Sequence, residues 1–597
     1  MIRGRPRFVI MAFFALLLVV DSFLYFRHAG HFFAGDAVFL LHHRAVSVSD
    51  YLKEFVQLNP SGWYRPLANE LIQSVLYPIV GLRPVPYRIP VYLTFVIVTV
   101  LVYMLVLALS GRHLPSGIAA FFFTIHTANA YTTYDVSFMP ELLYASFYLA
   151  AMLAFFRYLQ NGSRIAYGVS LVSLVAALLS KESAVTLPIT LLALCLTFDP
   201  SARSVRDRAV RALGSTAPHM IILLVYLTYA VGYLHVMGTS VTKLVGDTQV
   251  PNPGDYIAVL NGGMLKTADL AFTWAFNIPR AYSAQFQNLT AGMMGYLKFF
   301  RAFVLLLVAI VLVRSERRLI LFGFAFFWIV ILPALTLIGH FLPYYVFLPV
   351  AGLSLIIGIA FTWLYDQLRR IHVAVAALTL GLLFGGVLYV NRSMIRTDIE
   401  HNGILGASAE LARSTLNDVK RLYPVLPADA RLYFADGNES LLWHHDSGAL
   451  LQMAYETNKI TALYESQGDS PFSVPNDVLV FRLVKGRLID ETANYRANPL
   501  AFIKFTGSDR KIELSTTNVT AGEKYTLSIA GLSDVPVRIA YTMNEAPLET
   551  FSAHLDAHGS VTFDVTKSTG RGLYRFLGFN VVGTADWVRA DAALTVR

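Results

Sequence analysis

The chain has 597 residues, 55% of them hydrophobic, a net charge of +9 and a mean hydropathy of +0.53. The apolar excess over the roughly 45–50% of soluble proteins lies in long runs before about residue 390, which excludes a single soluble domain. The arginines cluster at the ends of apolar runs, which argues against a nucleic-acid partner, and the lone Cys195 excludes intrachain disulfides and Cys-based metal sites.

Arg3, Arg5 and Arg7 precede an apolar run over 8–20. Asp21-Ser22-Phe23-Leu24-Tyr25 follows with no small-residue cleavage site, so the run reads as an uncleaved first span. Spans are expected near 8–26, 89–110, 115–130, 138–158, 165–180, 183–198, 215–236, 297–314, 319–338, 344–365 and 372–390. The pair flanking Ser180–Glu182 could instead be one bent helix. The clusters Arg3/Arg5/Arg7, Arg112, Arg157/Arg164, Arg203/Arg206/Arg208/Arg211, Arg314/Arg317/Arg318 and Arg369/Arg370 fall at every second connector. By the positive-inside rule these face the cytoplasm. The expectation is about eleven spans in a cell (inner) membrane, with the N-terminus inside and everything after Asn391 outside.

Within 237–296, the apolar stretch 256–276 carries Asn261, Lys266 and Asp269. It reads as an interfacial helix, with Trp274, Pro279 and Arg280 ending it at the headgroups. Apolar residues at helical spacing predict a helix over 397–423, and 432–435 and 478–483 are strand-like, with a helix plausible over 439–455. From about residue 500, short alternating runs with turn signals suggest a β-sandwich. The fold class expected is a polytopic α-helical membrane protein with a C-terminal α+β region and β-sandwich. Its parts are 1–395, with outward loops 27–88 and 237–296, then 396–498, then 499–597.

The polar residues that could carry chemistry gather on the outward side. Asp36 follows the first span in an otherwise apolar setting and could be a general base, or simply cap a helix. Arg65 stands in Trp63-Tyr64-Arg65-Pro66-Leu67, where Pro66 holds it extended, suited to bidentate phosphate binding or to an interfacial anchor. Lys181 and Glu182 interrupt an apolar stretch, a costly placement that calls for partners or a role. Lys181 suits a lipid phosphate; Glu182 could orient it, hold a metal or cap the next helix. A structural ion pair is the plainer option, but adjacent residues do not face each other on a helix. His126, Asp135 and Glu141 bracket one outward turn as possible substrate-positioning groups. His340, Tyr344 and Tyr345 fall on the same side, in a segment that could be only an aromatic belt. Asp36-Ala37 is not a paired acidic motif, so a divalent ion (Mg²⁺ or Mn²⁺) is left open.

The order of these pieces resembles the GT-C membrane glycosyltransferases over roughly residues 8–395. An early outward acid is followed by Tyr64-Arg65-Pro66-Leu67 and by His126 with a later acid. Ser180-Lys181-Glu182-x-Ala184, Leu187-Pro188 and a Tyr-rich turn into Leu348-Pro349 complete the series. The resemblance is nearest to the protein O-mannosyltransferases and to the tetratricopeptide-linked transmembrane O-mannosyltransferases with their bacterial relatives. It implies a polyprenyl-phosphate-linked sugar donor, inversion at the anomeric carbon and an aspartate base matching Asp36. Lys181, with Arg65 or His340, would bind the donor phosphate. Glu141, Asp135, His126, Glu182, Tyr344 and Tyr64 would position substrate. The chain departs from many relatives at Gly35-Asp36, where they have two adjacent acids, at His340–Pro343, and in carrying no tetratricopeptide array.

The expected partners are the lipid-linked donor, a protein or glycan acceptor and membrane lipids. A carrier or flippase of lipid-linked glycans, or an assembly factor, is the non-enzymatic alternative. A glycan ligase or polymerase using a pyrophosphate lipid is the second. Polar groups concentrated near one face favour a one-sided reaction over transport, which needs charges near the midplane.

Overall fold

The computed structural model describes residues 5–58, 63–68, 71–200, 204–234, 263–279, 289–314, 316–337, 341–401, 405–427, 429–437, 441–467, 469, 478–497, 505–506, 511–544, 549–566, 569–582 and 587–597. Two compact units emerge: Met1–Phe33 with His43–Ala407, and Ala34–His42 with Ser408–Arg597.

Among the described residues of the first unit, eight helices are long and apolar enough to cross a membrane. They are Ile10–His28, Pro84–Ser110, Val136–Asn161, Val205–Ala230, Ala291–Val313, Arg317–Leu335, Pro349–Leu368 and Val373–Glu400. The chain is a multi-pass membrane protein. The spans expected near 115–130, 165–180 and 183–198 fold as the helices His113–Thr124, Arg164–Ser180 and Leu187–Phe198, of 12, 17 and 12 residues. Each is below the ~20 residues that reach across the hydrocarbon core. The last two are separate helices because Lys181 is extended (φ −161°, ψ 140°) between them.

Pro349–Leu368 is the central helix, with 78% of its apolar window buried. It meets Arg317–Leu335 through glycines. A Cβ on Gly323 would stand 2.8 Å from the Gly352 oxygen, and one on Gly352 would stand 2.6 Å from the Gly323 oxygen. Small residues let backbones touch where lipid offers no hydrophobic drive for association.

The expected interfacial segment is helical over Gly263–Trp274, with Lys266 and Asp269 on its exposed side. Trp274 does not reach the headgroups: it is buried at 1% exposure with Ala275, Phe276 and Asn277. The cause is local. Asn277 Oδ1 accepts from the Thr127 backbone N–H and hydroxyl, both at 2.8 Å, which draws this end into the bundle. Arg280 and 256–262 lie outside the described residues.

The second unit carries an α/β sheet and a sandwich. Strands β1 (Arg431–Ala435), β2 (Thr461–Tyr464), β3 (Leu479–Val484) and β4 (Arg487–Asp490) pair in the order β2-β1-β3-β4. The first three are parallel, and β4 returns antiparallel over a two-residue turn at Lys485 (φ 50°) and Gly486 (φ 75°). The helix expected over 439–455 is broken into Leu441–His445 and Ala449–Ala454. Then come β5 (Phe505–Thr506), β6 (Ile512–Leu514), β7 (Asn518–Val519), β8 (Lys524–Ile529), β9 (Pro536–Met543), β10 (Glu549–His554), β11 (Ser560–Asp564), β12 (Gly572–Val581) and β13 (Trp587–Val596). One sheet runs β10-β9-β12-β13-β5, with β7 also on β13, and the other runs β11-β8-β6. Leu527 and Ile529 of the smaller sheet share a core with Val537, Ile539, Phe576 and Leu594 of the larger, as a sandwich requires. Buried Tyr433, Val480, Tyr495 and Ala540 join the α/β sheet to the sandwich in one unit.

Candidate functional site

The Tyr64–Leu67 segment is fixed in the membrane unit by its backbone. Leu67 N–H donates to the Leu179 oxygen at 3.1 Å, and Ala68 N–H closes a turn onto the Arg65 oxygen. This sets Arg65 beside the end of Arg164–Ser180, where Lys181 turns extended and Glu182 opens a short 3₁₀ helix. Arg65 reaches Glu182 with Nε at 2.8 Å and one terminal nitrogen at 2.6 Å, a bidentate pair that leaves the second terminal nitrogen outside it. The Trp63 ring lies 4.5 Å from the guanidinium. Surrounding protein works against charge on Glu182, but Arg65 outweighs it and holds that carboxyl down at about 2.

Lys181 does not pair with its neighbour Glu182. It pairs with Glu141, from the first turn of Met139–Asn161. Side-chain exposure is 6% and 4% for that pair, against 16% and 44% for Arg65 and Glu182. The inner pair is dry and the outer pair opens at Glu182. The rings of Tyr144, Tyr344 and Tyr345 stand 5.8, 5.4 and 5.6 Å from the Lys181 ammonium, a cation–π cage. Two cations and two carboxylates, crossed and enclosed by aromatic faces, can exchange a carboxylate contact for another anion without breaking backbone hydrogen bonds.

Tyr64 is adjacent but serves the loop: its hydroxyl and that of Tyr229 both donate to the Phe55 oxygen at 3.1 Å. His126 does not join the centre. Fully buried, it accepts from Ala128 N–H at Nδ1, so Nε2 carries the proton toward the Ala275 oxygen at 3.1 Å. It is a structural tie, because the Trp274–Asn277 end covers it. Asp135 caps the 3₁₀ turn Val136–Phe138 through Ser137 N–H at 2.9 Å. His340 lies outside the described residues. Asp36 belongs to the other compact unit, where it opens the helix Asp36–His42. Among the described residues no group of three or more His, Cys, Asp or Glu side chains could hold a metal ion. In the Lys181 centre each carboxylate is engaged by a cation, a donor set that does not fit a divalent ion.

Two residues of the membrane unit escaped sequence reasoning. Tyr144 lies one helical turn from Glu141, and that i, i+3 spacing was the available signal. Arg88 is buried near the start of a long apolar helix. It donates to the oxygens of Tyr134 (2.7 Å), Ala29 (2.9 Å), His31 and Phe32 (3.3 Å), anchoring the strand of chain that leads to Asp36.

Residues 64–231 match a sequence-family model described as dolichyl-phosphate-mannose-protein mannosyltransferase. The chain is similar to the GT-C membrane glycosyltransferases. Arg65, Glu141, Lys181 and Glu182 all fall inside the matched segment. No curated protein matches the chain. Among solved structures, archaeal oligosaccharyltransferase AglB from Archaeoglobus fulgidus, in complex with an inhibitory peptide and a dolichol-phosphate, aligns at 13% identity. That alignment covers 77% of this chain and 65% of the other, with a TM-score of 0.44. ArnT from Cupriavidus metallidurans bound to undecaprenyl phosphate aligns at 12% identity over 85% of this chain and 97% of its own, with a TM-score of 0.45. The Archaeoglobus fulgidus oligosaccharyltransferase complex with Zn and sulfate aligns at 11% identity over 98% of each chain, with a TM-score of 0.44. In the dolichol-phosphate complex and in the apo form of the Archaeoglobus fulgidus oligosaccharyltransferase, the chain spans 65% and 66% of the matched chain's length.

Proposed function

We propose that the chain transfers a sugar from a polyprenyl-phosphate-type lipid to an acceptor hydroxyl, on a protein or glycan, at the extracytoplasmic face of a cell membrane. The observation that carries this reading is the Lys181–Glu141 and Arg65–Glu182 centre, caged by tyrosines inside the membrane unit and inside the matched segment. An ammonium has three N–H donors, more than one carboxylate oxygen uses. Lys181 and the second terminal nitrogen of Arg65 then face the donor phosphate.

In the step proposed, the acceptor oxygen attacks the anomeric carbon and the carbon–oxygen bond to phosphate breaks. Its electron pair stays on the phosphate, which gains one negative charge, and Lys181 and Arg65 stabilise that charge. Asp36 takes the acceptor's proton, and configuration inverts. Glu141 pairs with Lys181 in the dry part of the site. No metal step is invoked.

The test uses purified full-length protein, radiolabelled polyprenyl-phosphate sugars and membrane extract as acceptor. Asp36→Asn is expected to abolish transfer while donor binding persists. Transfer at the wild-type rate would remove Asp36 as the base.

A further inference from the structure

The segment that carries Asp36 is seated by a turn more than 400 positions later in the sequence. Gly35 is left-handed (φ +52°), and a Cβ built there would stand 2.6 Å from Trp443 Nε1 and 2.9 Å from Trp443 Cε2. Only glycine fits under that indole. The helix Asp36–His42 buries Ala37, Val38, Leu40 and Leu41 and packs on Ala449–Ala454. Between Trp443 and that helix the chain makes three successive left-handed residues, Asp446 (φ 46°), Ser447 (φ 55°) and Gly448 (φ 97°). Such a run costs free energy at the two non-glycine positions and persists only where surroundings hold it. Ser447 Oγ is buried there with no hydrogen-bond partner among the described residues, a further cost that regular helix would have avoided.

What the strained turn achieves is placement of a carboxylate. With Asp36–His42 packed on Ala449–Ala454 just after it, Asp446 lies within the field of Asp36, and burial together with that charge pushes its carboxyl up to about 7. The Asp446 charge also acts on Tyr464 at the end of β2. His444 and His445, just before it, are held down at about 4 and about 3 by burial and bring no positive charge at neutral pH.

We propose that Asp446 and Trp443 are positioning residues for Asp36: Trp443 fixes the backbone at Gly35, and Asp446 presents a second carboxyl group that keeps one proton between the two acids. Two carboxyl groups so placed do not both ionise readily. With the proton on Asp446, Asp36 is the ionised member, ready to accept the acceptor's proton. This inference rests on the reading of Asp36 as general base.

The experiment is a carboxyl titration by ¹³C NMR of the full-length protein in detergent, labelled at aspartate. One resonance, absent in Asp446→Asn, is expected to titrate with a midpoint near 7. In Asp36→Asn that midpoint should fall by at least ~1 unit, because a like charge has been removed. An unmoved midpoint, or no Asp446-dependent titration above ~6, overturns the pairing. Should Asp446→Asn fail to fold, Asp446→Glu supplies the assignment through a shifted resonance. A second arm follows transfer against pH. Wild-type rates should change in a step as pH passes through 7, and Asp446→Asn should abolish that step; a step that persists in the variant, or none in wild type, overturns the positioning role. Failure of the underlying reading looks different: Asp36→Asn would retain transfer while the coupled titration still appears.

Discussion

The membrane unit and the C-terminal unit each contain buried charge, and they use it differently. In the C-terminal unit, Asp418 is 1% exposed and accepts from Arg487 at 2.8 and 2.6 Å, from Arg421 at 3.2 Å and from the Leu488 backbone N–H at 2.9 Å. Those bonds pin the β3–β4 turn to the helix Gly406–Leu422, and they pull the Asp418 carboxyl down to about 2, chiefly through Arg487. In the membrane unit, among the described residues, Lys181 and Arg65 reach only side chains: Glu141 and Glu182, with aromatic faces around them. A charge bonded to backbone holds the fold. A charge bonded only to other side chains can change partner, which is what a binding site needs. Arg88, in the membrane unit but bonded to carbonyls, falls on the structural side of that division.

The sharpest way to break the comparison is Lys181→Ala. Transfer per folded molecule should fall ~10²–10³-fold, as for loss of a preorganised group that stabilises transition-state charge, and the buried Glu141 left without its partner lowers stability as well. Unaltered donor affinity and rate would move Lys181 to the structural class. Asp418→Ala should do the reverse: a loss of about 2 kcal/mol, since Leu488 N–H is left without its acceptor. That reads as a drop of ~4–8 °C in the melting of a unit of this size, with donor binding intact.

Asp446→Asn sharpens the C-terminal side. The folded carboxyl titrates near 7, above its unfolded value of about 3.9, so the folded state binds the proton more tightly. The Asp446 contribution to wild-type stability is therefore fullest below about 4 and is lost as pH rises to about 7. The variant should gain ~1–2 kcal/mol at pH 8 over wild type, discounted for partial solvent screening, and nothing at pH 4; equal gains at both would show a packing effect instead. The smallest effect is expected for His126→Gln, which keeps an N–H donor toward Ala275. Melting should shift by ~1 kcal/mol equivalent or less, and transfer per folded molecule should be unchanged.

The sequence exposed Lys181 and Glu182 because charge inside an apolar run is costly and therefore informative. Their partners were harder to read. Helix spacing says which residues share a face, not which helix that face meets, so Glu141 was named as a substrate-positioning residue while Tyr144 beside it was missed. Arg88 was not singled out, because an arginine at a span end is ordinary; only packing shows it turned inward onto carbonyls. Trp274 carried a strong interfacial signal, and two hydrogen bonds from Thr127 overrode it. The sandwich was legible from alternation, except for the two-residue strands β5 and β7 and for β10, whose Glu549-Thr550-Phe551-Ser552-Ala553-His554 alternates weakly. The seating of Gly35 under Trp443 left no trace in any local pattern, because its two halves lie at opposite ends of the chain.

That last feature has a consequence in time. Residues 34–42 leave the ribosome early, yet the residues that seat them begin at 441, about 400 positions later. At roughly 5–20 residues per second, the Asp36 segment waits ~20–80 s without its final partners while the hydrophobic spans are being made. Arg88, translated soon after, can fasten the chain at 29–32 in that interval. The acid is thus tethered at its root well before its seat exists, and the segment is complete only after about three quarters of these 597 residues have been synthesised.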